Sequence, residues 1–417
     1  MKDSGVEWIG EIPMKWEMKK VKSFLIEKSE KNHPSEEVLS LYRDHGVVPK
    51  DSRNDNHNVT SLDTSSYKLV KRDNVVINKM KAWQGSMAVS KYQGIISPAY
   101  YIYEIKNSKE IVPEFLHYVL RNPLYIQEYK RLSAGLRVGQ WDLNKSQFNC
   151  LLYPIPSVET QLKIVGFLNS KLENIDKIIK DTQQSIEELK KYKQSLITET
   201  VTKGLDKNVE MKDSGIEWMG KVPSGWGVTK INQLFSIKKE IANQTGYDVL
   251  SVTQTGLKVK DVSRNEGQMA ADYSKYQIVQ PRDFVMNHMD LLTGWVDIAT
   301  QVGVTSPDYR AFYARNEKIV FNEFYLYVFQ ICYMNKIFYG LGQGVSNMGR
   351  WRLQTDKFLN FYLPLPPVAE QKEIVKFLKN KLLQVNSMLE QKEKLISELE
   401  DYKKSLIYEY VTGKKEV

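Results

Sequence analysis

Two stretches of the chain carry apolar residues at alternating steps of three and four. The first holds Val165, Leu168, Leu172, Ile175, Ile179, Ile186 and Leu189; the second holds Val375, Leu378, Leu382, Val385, Leu389, Ile396 and Leu399. Charged and amide side chains fill the positions between, so each stretch presents one apolar seam along a helix, the a/d pattern of a coiled coil. Both seams are interrupted at the same heptad position by a polar residue, Thr182 and Lys392. Each follows a proline pair, Pro154 and Pro156 in one and Pro364 and Pro366 in the other, where a helix cannot extend backwards. Two such helices in one chain predict each other as partners. From Thr160 to Thr202 the rod would be about 65 Å long at ~1.5 Å per residue. Antiparallel pairing would put one globular domain at either end, the two related by a pseudo-two-fold axis.

The two stretches belong to a longer repeat. Val165 returns as Val375, Tyr192 as Tyr402, and Ser195, Leu196, Ile197 as Ser405, Leu406, Ile407, an offset of 210 residues throughout. The leader MKDSGVEWIGEIP at Met1 to Pro13 returns at the same distance as MKDSGIEWMGKVP from Met211, and Trp16 returns as Trp226. The approach to each helix matches as well, GQWDLNKSQF from Gly139 against GRWRLQTDKF from Gly349. The chain is one unit written twice. Its expected divisions are 1–152, leader and first globular domain; 153–204, first spacer helix; 205–363, linker, second leader and second domain; and 364–417, second spacer helix.

Between leader and helix the pattern changes to short β-rich runs, YKLVKRDNVVIN and GIISPAYYIYEI, separated by turn residues. PEFLHYVLRNPLYIQEYKRL, Pro113 to Leu132, reads as an amphipathic helix interrupted at Pro123. Tyr67 to Met80 aligns with Tyr276 to Met289, and SPAY at Ser97 with SPDY at Ser306, at 209 rather than 210. A slip of one residue is a single loop indel, so the two domains should share an α+β fold. Trp8 and Trp16 read as core or docking anchors, against the first domain or against the helix ends.

What differs between the domains is a loop. Lys79, Lys81, Trp83 and Gln84 stand where the second domain has His288, Asp290, Leu292 and Thr293. Asn and Gln can pair with adenine, and Arg and Lys with guanine. The loops Asn78 to Gln84 and Asn287 to Thr293 are therefore the candidate reading surfaces, with Asn78, Lys79, Lys81, Gln84, Asn287 and His288 as named candidates. Met80, Trp83 and Met289 are expected in the core. A second candidate pair is the glycine-containing segments before each helix, Gly135 to Gln140 with Arg137 and Gln140, and Gly344 to Arg350 with Arg350 and the preceding Gln343. Each of these is either a phosphate-facing loop or a plain turn.

At 417 residues with 42% hydrophobic content the chain can build two or three cores. A formal charge of +9 suits a polyanionic partner but also an ordinary basic protein. Cys150 and Cys332 form no CxxC pair and suggest neither disulfides nor zinc; both are expected as buried thiols. Asp3, Glu7 and Glu11 interrupt the leader, which excludes a signal peptide's apolar core. A cytoplasmic protein without membrane contact is expected.

Enzyme motifs are incomplete. NPLY at Asn122 to Tyr125 lacks the second proline of an adenine methyltransferase loop and lies in a helical stretch. Pro307-Asp308 with Glu317-Lys318 lacks the residue that a metal-dependent nuclease places between glutamate and lysine. No GxxxxGK[ST] phosphate cradle is present.

The whole chain resembles the DNA specificity (S) subunit of type I restriction-modification systems. The resemblance rests on the helix openings PIPSVETQLKIVGFL and PLPPVAEQKEIVKFL, the leaders DSGVEWIGEIP and DSGIEWMGKVP, and the GIISPAY type of strand, all in duplicate. It implies two target recognition domains held apart by an antiparallel coiled coil and no catalytic centre in this chain. It also implies double-stranded DNA as ligand, two modification (methyltransferase) subunits as partners, and restriction subunits that join them. S-adenosylmethionine, ATP and Mg2+ would be bound by those partners. The competing expectation is a non-catalytic coiled-coil scaffold whose globular domains bind protein or RNA.

Overall fold

The computed structural model describes residues 1–43, 45–53, 60–137, 140–261, 272–343 and 351–417, with backbone alone at 136, 137 and 140. It divides into two compact units, Met1–Gln183 with Glu393–Val417, and Gln184–Lys392. Each is a mixed α+β body.

In the first unit the leader forms a small hairpin, Lys2–Asp3 against Glu11–Ile12. Asp3 accepts the Gly5 N–H at 2.9 Å and the Ser4 hydroxyl accepts the Val6 N–H at 3.1 Å, which is why the leader reads Asp-Ser-Gly. Strands Leu25–Lys28, Tyr100–Ile105, Val75–Asn78 and Met87–Val89 make an antiparallel sheet in that order, with Ile102 opposite both Lys28 and Val76. The expected amphipathic stretch forms two helices, Pro113–Leu120 and Pro123–Arg131. Asn122 caps the second by accepting the Leu124 N–H at 3.0 Å, so NPLY is a helix start. Their inner faces bury Phe115, Leu116, Tyr125 and Tyr129, and Tyr125 stacks on Tyr153 with ring centroids 4.3 Å apart.

The second unit repeats this plan. Its leader turn uses Asp213 and Ser214 in the same bonds, at 2.9 and 3.1 Å. Strands Phe235–Lys238, Arg310–Ala314, Phe284–Met286 and Val296–Ile298 form the matching sheet. Here the core is phenylalanine rather than tyrosine: Phe235, Phe284, Phe312 and Phe329 meet edge-to-face or stacked at 5.0–5.7 Å. Cys332 is buried beneath it. Cys150, expected to be buried as well, is exposed: it is the last residue of the short helix Lys145–Cys150, whose inward position is taken by Phe148.

A second ladder fixes where each domain meets its helix. Glu17–Lys20 pairs with Leu152–Ile155, and Gly227–Lys230 pairs with Tyr362–Leu365. The long helices follow at once, Val158–Lys203 and Val368–Val411. One buried glutamine locks each start. Gln161 Oε1 accepts the Val112 N–H at 2.7 Å while its Nε2 donates to Glu110 O at 2.8 Å and Pro156 O at 2.9 Å. Gln371 does the same to Phe321, Ile319 and Pro366 at 2.8, 3.0 and 2.8 Å.

Within each unit the two long helices touch in antiparallel sense. In the first, Phe167 packs on Tyr410 at 4.5 Å and Lys403 pairs with Asp176; in the second, Lys193 Nζ donates to Asn386 at 2.8 Å. Of the predicted seam, Val165, Leu168, Leu172, Ile175, Ile186, Val375, Leu378, Leu382 and Val385 are buried. Ile179, Leu189, Leu389, Ile396 and Leu399 are half-buried, because a lone pair of helices covers only one side of a seam residue. Thr182 is buried yet satisfied, its hydroxyl donating to Ile178 O at 2.7 Å. No helix among the described residues is long and apolar enough to cross a membrane.

Candidate nucleic-acid interface

Strand Val75–Asn78 runs directly into the first candidate loop. Asn78 is held there, its Nδ2 donating to the Tyr100 hydroxyl at 3.3 Å and its Oδ1 accepting the Met80 N–H at 3.1 Å. A single 3-10 turn, Ala82–Gln84, ends at Gly85, whose φ of 79° is left-handed. Lys81 and Gln84 point outward and are exposed. Met80, expected in the core, is also exposed, while Trp83 is half-buried with its indole N–H on Met80 O at 3.2 Å.

The glycine-containing segment proves to be its neighbour. Strands Ser133–Arg137 and Gln140–Leu143 form a hairpin in which Arg137 faces Gln140 in register. The Leu143 N–H donates to Lys79 O at 2.9 Å, Lys79 Nζ lies 3.3 Å from Asp142, and Trp83 and Trp141 sit 5.3 Å apart. Two segments about sixty residues apart in sequence thus form one surface, whose members Trp141 and Asp142 sequence reasoning missed. Only the shared GQWD/GRWR spacing hinted at them.

In the second unit Asn287 accepts the Met289 N–H at 3.2 Å, and Met289 is half-buried. The Leu353 N–H donates to His288 O at 2.9 Å, and Gln343 bridges Arg352. Gln343 is exposed and its side-chain carbonyl accepts from Gln354. Arg350 lies outside the described residues. His288 does not present its ring at the surface as an exposed loop residue would: it is 6% exposed, and burial together with Arg310 and Arg352 pushes its pKa down to about 3. It is therefore a neutral ring at physiological pH. The Arg310 beside it is 4% exposed, its guanidinium 4.5 Å over the Phe358 ring and donating to Leu353 O at 3.0 Å.

The same positions carry opposite charge logic in the two units. Lys79 and Asp142 neutralise each other in the first, where the second has His288 and Arg352. Such a surface can offer amides, cations and aromatic faces to base edges and phosphates, on a scaffold that is the same in both halves.

The two halves thus present one frame with unlike loops. A family model for the type I restriction modification DNA specificity domain matches twice, over residues 13–188 and 223–400. The chain belongs to that family. It is 24% identical over 429 aligned residues to the protein described as the MjaX specificity subunit of a type I restriction enzyme of Methanocaldococcus jannaschii, covering 97% of this chain and 95% of that one. It is 25% identical over 372 residues to the MjaVIII specificity subunit of the same organism, covering 84% and 82%. Among solved structures, a chain from a study of complex assembly and conformational transition of the type I R-M system superposes with a TM-score of 0.69 at 13% identity over 96% of this chain and 98% of that chain. The HsdS subunit from Thermoanaerobacter tengcongensis gives 0.58 at 14%, over the full length of both. At those identities the structural likeness speaks for the fold.

Proposed function

We propose that this chain reads a bipartite, asymmetric DNA target, one half through each recognition domain, and performs no catalysis itself. In this reading it acts in the cytoplasm and docks two adenine-specific modification subunits, which restriction subunits then join. S-adenosylmethionine, ATP and Mg2+ serve those partners. The observation that carries the reading is the contrast between frame and loop. The Gln161 and Gln371 clamps are alike bond for bond, while the loops differ at Lys79 against His288 and Lys81 against Asp290. A protein that recognised one repeated ligand would have no use for that difference.

In this reading the two half-sites lie about one helical turn, ~34 Å, apart. The test is to map methylated adenines in cells with and without this chain, and again after residues 21 to 152 are exchanged for another recognition domain. The expected result is a two-part motif that vanishes with the chain and changes in one half after the exchange. A single continuous motif, or loss of both halves on exchange, would refute it.

A further inference from the structure

Beneath the second unit's loop lies a cavity of about 280 Å³ lined by Lys238, Lys239, His288, Arg310 and Arg352 and by no carboxylate. Lys238 is already neutralised, 2.9 Å from Asp283 and 3.6 Å from Glu240. The other cations are not: among the described residues no acid lies within ion-pairing distance of Lys239, Arg310 or Arg352. Arg310 is the unusual one. A guanidinium this deeply buried is normally paired with an anion, yet among the described residues its hydrogen bonds run only to Leu353 O and the Thr355 hydroxyl, at 3.0 and 3.4 Å, and its second terminal nitrogen finds no partner there. The Nδ1 of His288, also buried, has none either. Lys239 and Arg352 are exposed at the rim.

We propose that this cavity receives one backbone phosphate of the DNA, contacted by Lys239 and Arg352 at the mouth, with Arg310 as the fixed charge behind them. The proposal rests on the DNA-binding reading above and adds to it a ligand group and a place. A guanine edge would offer acceptors to Arg310 but no charge, and it would leave three cations uncompensated; a phosphodiester supplies both. The site exists in one half only. At the corresponding positions the first unit has Tyr101 for Arg310, Lys79 for His288 and Asp142 for Arg352, and there Lys79 and Asp142 pair with each other.

The experiment compares the full chain in its assembled complex with the double variant Lys239→Gln, Arg352→Gln, whose changes lie at exposed positions and spare the core. Affinity for the target duplex and for a panel with each base pair substituted is measured across a salt series. The expected result is a loss of roughly 3- to 10-fold that is uniform over the panel, with the slope of log K against log salt shallower by about one. A loss confined to one base pair, or an unchanged slope, would overturn the proposal. A second arm needs no duplex. Thermal unfolding in inorganic phosphate is compared with chloride at equal ionic strength, and phosphate should raise the wild-type Tm more than that of the variant. If the wild type binds no duplex, the broader reading fails and this arm judges the cavity alone, an equal response of both proteins counting against it.

Discussion

Gln161 Oε1 sits 2.7 Å from the Val112 N–H, inside a pocket from which water is excluded. All three of its hydrogen bonds close backbone groups of the domain and of the helix entry, so the glutamine adds a non-covalent tie to the peptide link through Pro154–Pro156. Gln161→Leu should strand the Val112 N–H and the Glu110 and Pro156 carbonyls and cost about 3 kcal/mol, at a penalty of ~1–3 kcal/mol per orphaned group. Denaturant titration should show a lower midpoint with unchanged slope. Gln371→Leu should do the same to the other unit, and a variant as stable as wild type would show that the clamp is incidental.

The helix ends predict a difference between two capping glycines. Gly204 and Gly413 follow the two long helices with φ of 76° and 71°, the left-handed cap that favours glycine. At Gly413 a Cβ would fall into the rigid ring of Pro13 in the leader; at Gly204 its nearest neighbour would be the mobile end of Glu370 at 2.9 Å. Both alanine variants bear the backbone penalty of about 1–2 kcal/mol for an L-residue in the left-handed region. Gly413→Ala should lose measurably more, read as a lower Tm than that of Gly204→Ala. Equal losses would mean that the leader yields.

Acid should weaken the fold in a defined window. His117 is half-buried, its Nδ1 accepting the Val89 N–H at 3.3 Å, and desolvation of its ring pushes its pKa down to about 3; His288 behaves alike. The folded state binds fewer protons at these sites than the unfolded chain. Their stabilising contribution is therefore complete above the unfolded value of about 6.5 and is lost as pH falls toward 3, by up to ~1.4 kcal/mol per pH unit per histidine. Calorimetry from pH 7 to pH 5 should show a falling Tm, and His117→Gln, which keeps an acceptor without the titration, should show a shallower fall. Parallel curves for the two proteins would contradict this assignment.

Lys81 and Gln84 are exposed neighbours on one loop, with different expected losses. Lys81→Ala should weaken binding to every duplex and reduce the salt slope by about one, as a phosphate contact does; Gln84→Ala should relax one position in one half of the target by ~1–3 kcal/mol. Binding assays on a panel of substituted duplexes separate the two. Interchanged behaviour would reverse the roles.

The repeat, the long helices and the split at Pro123 were legible because each is written in local spacing, and the Asp-Ser-Gly and Pro-to-Gln motifs proved to be self-contained bonding patterns. What spacing could not reveal was which distant segments meet. The contact of Trp83 with Trp141 and of His288 with Arg310 depends on strand pairing across tens of residues, so His288 appeared to be an exposed loop residue and is buried. Met80 and Cys150 failed in the other direction, since an apolar residue beside a loop or at a helix end need not face inward.

Lys414 Nζ donates to Ile9 O at 2.8 Å, tying the tail of the second helix to the first leader. In the other unit the equivalent leader simply follows the first helix along the peptide. A gene of half this length would encode both faces of that junction, and a second copy in the same chain leaves each loop free to change without its counterpart.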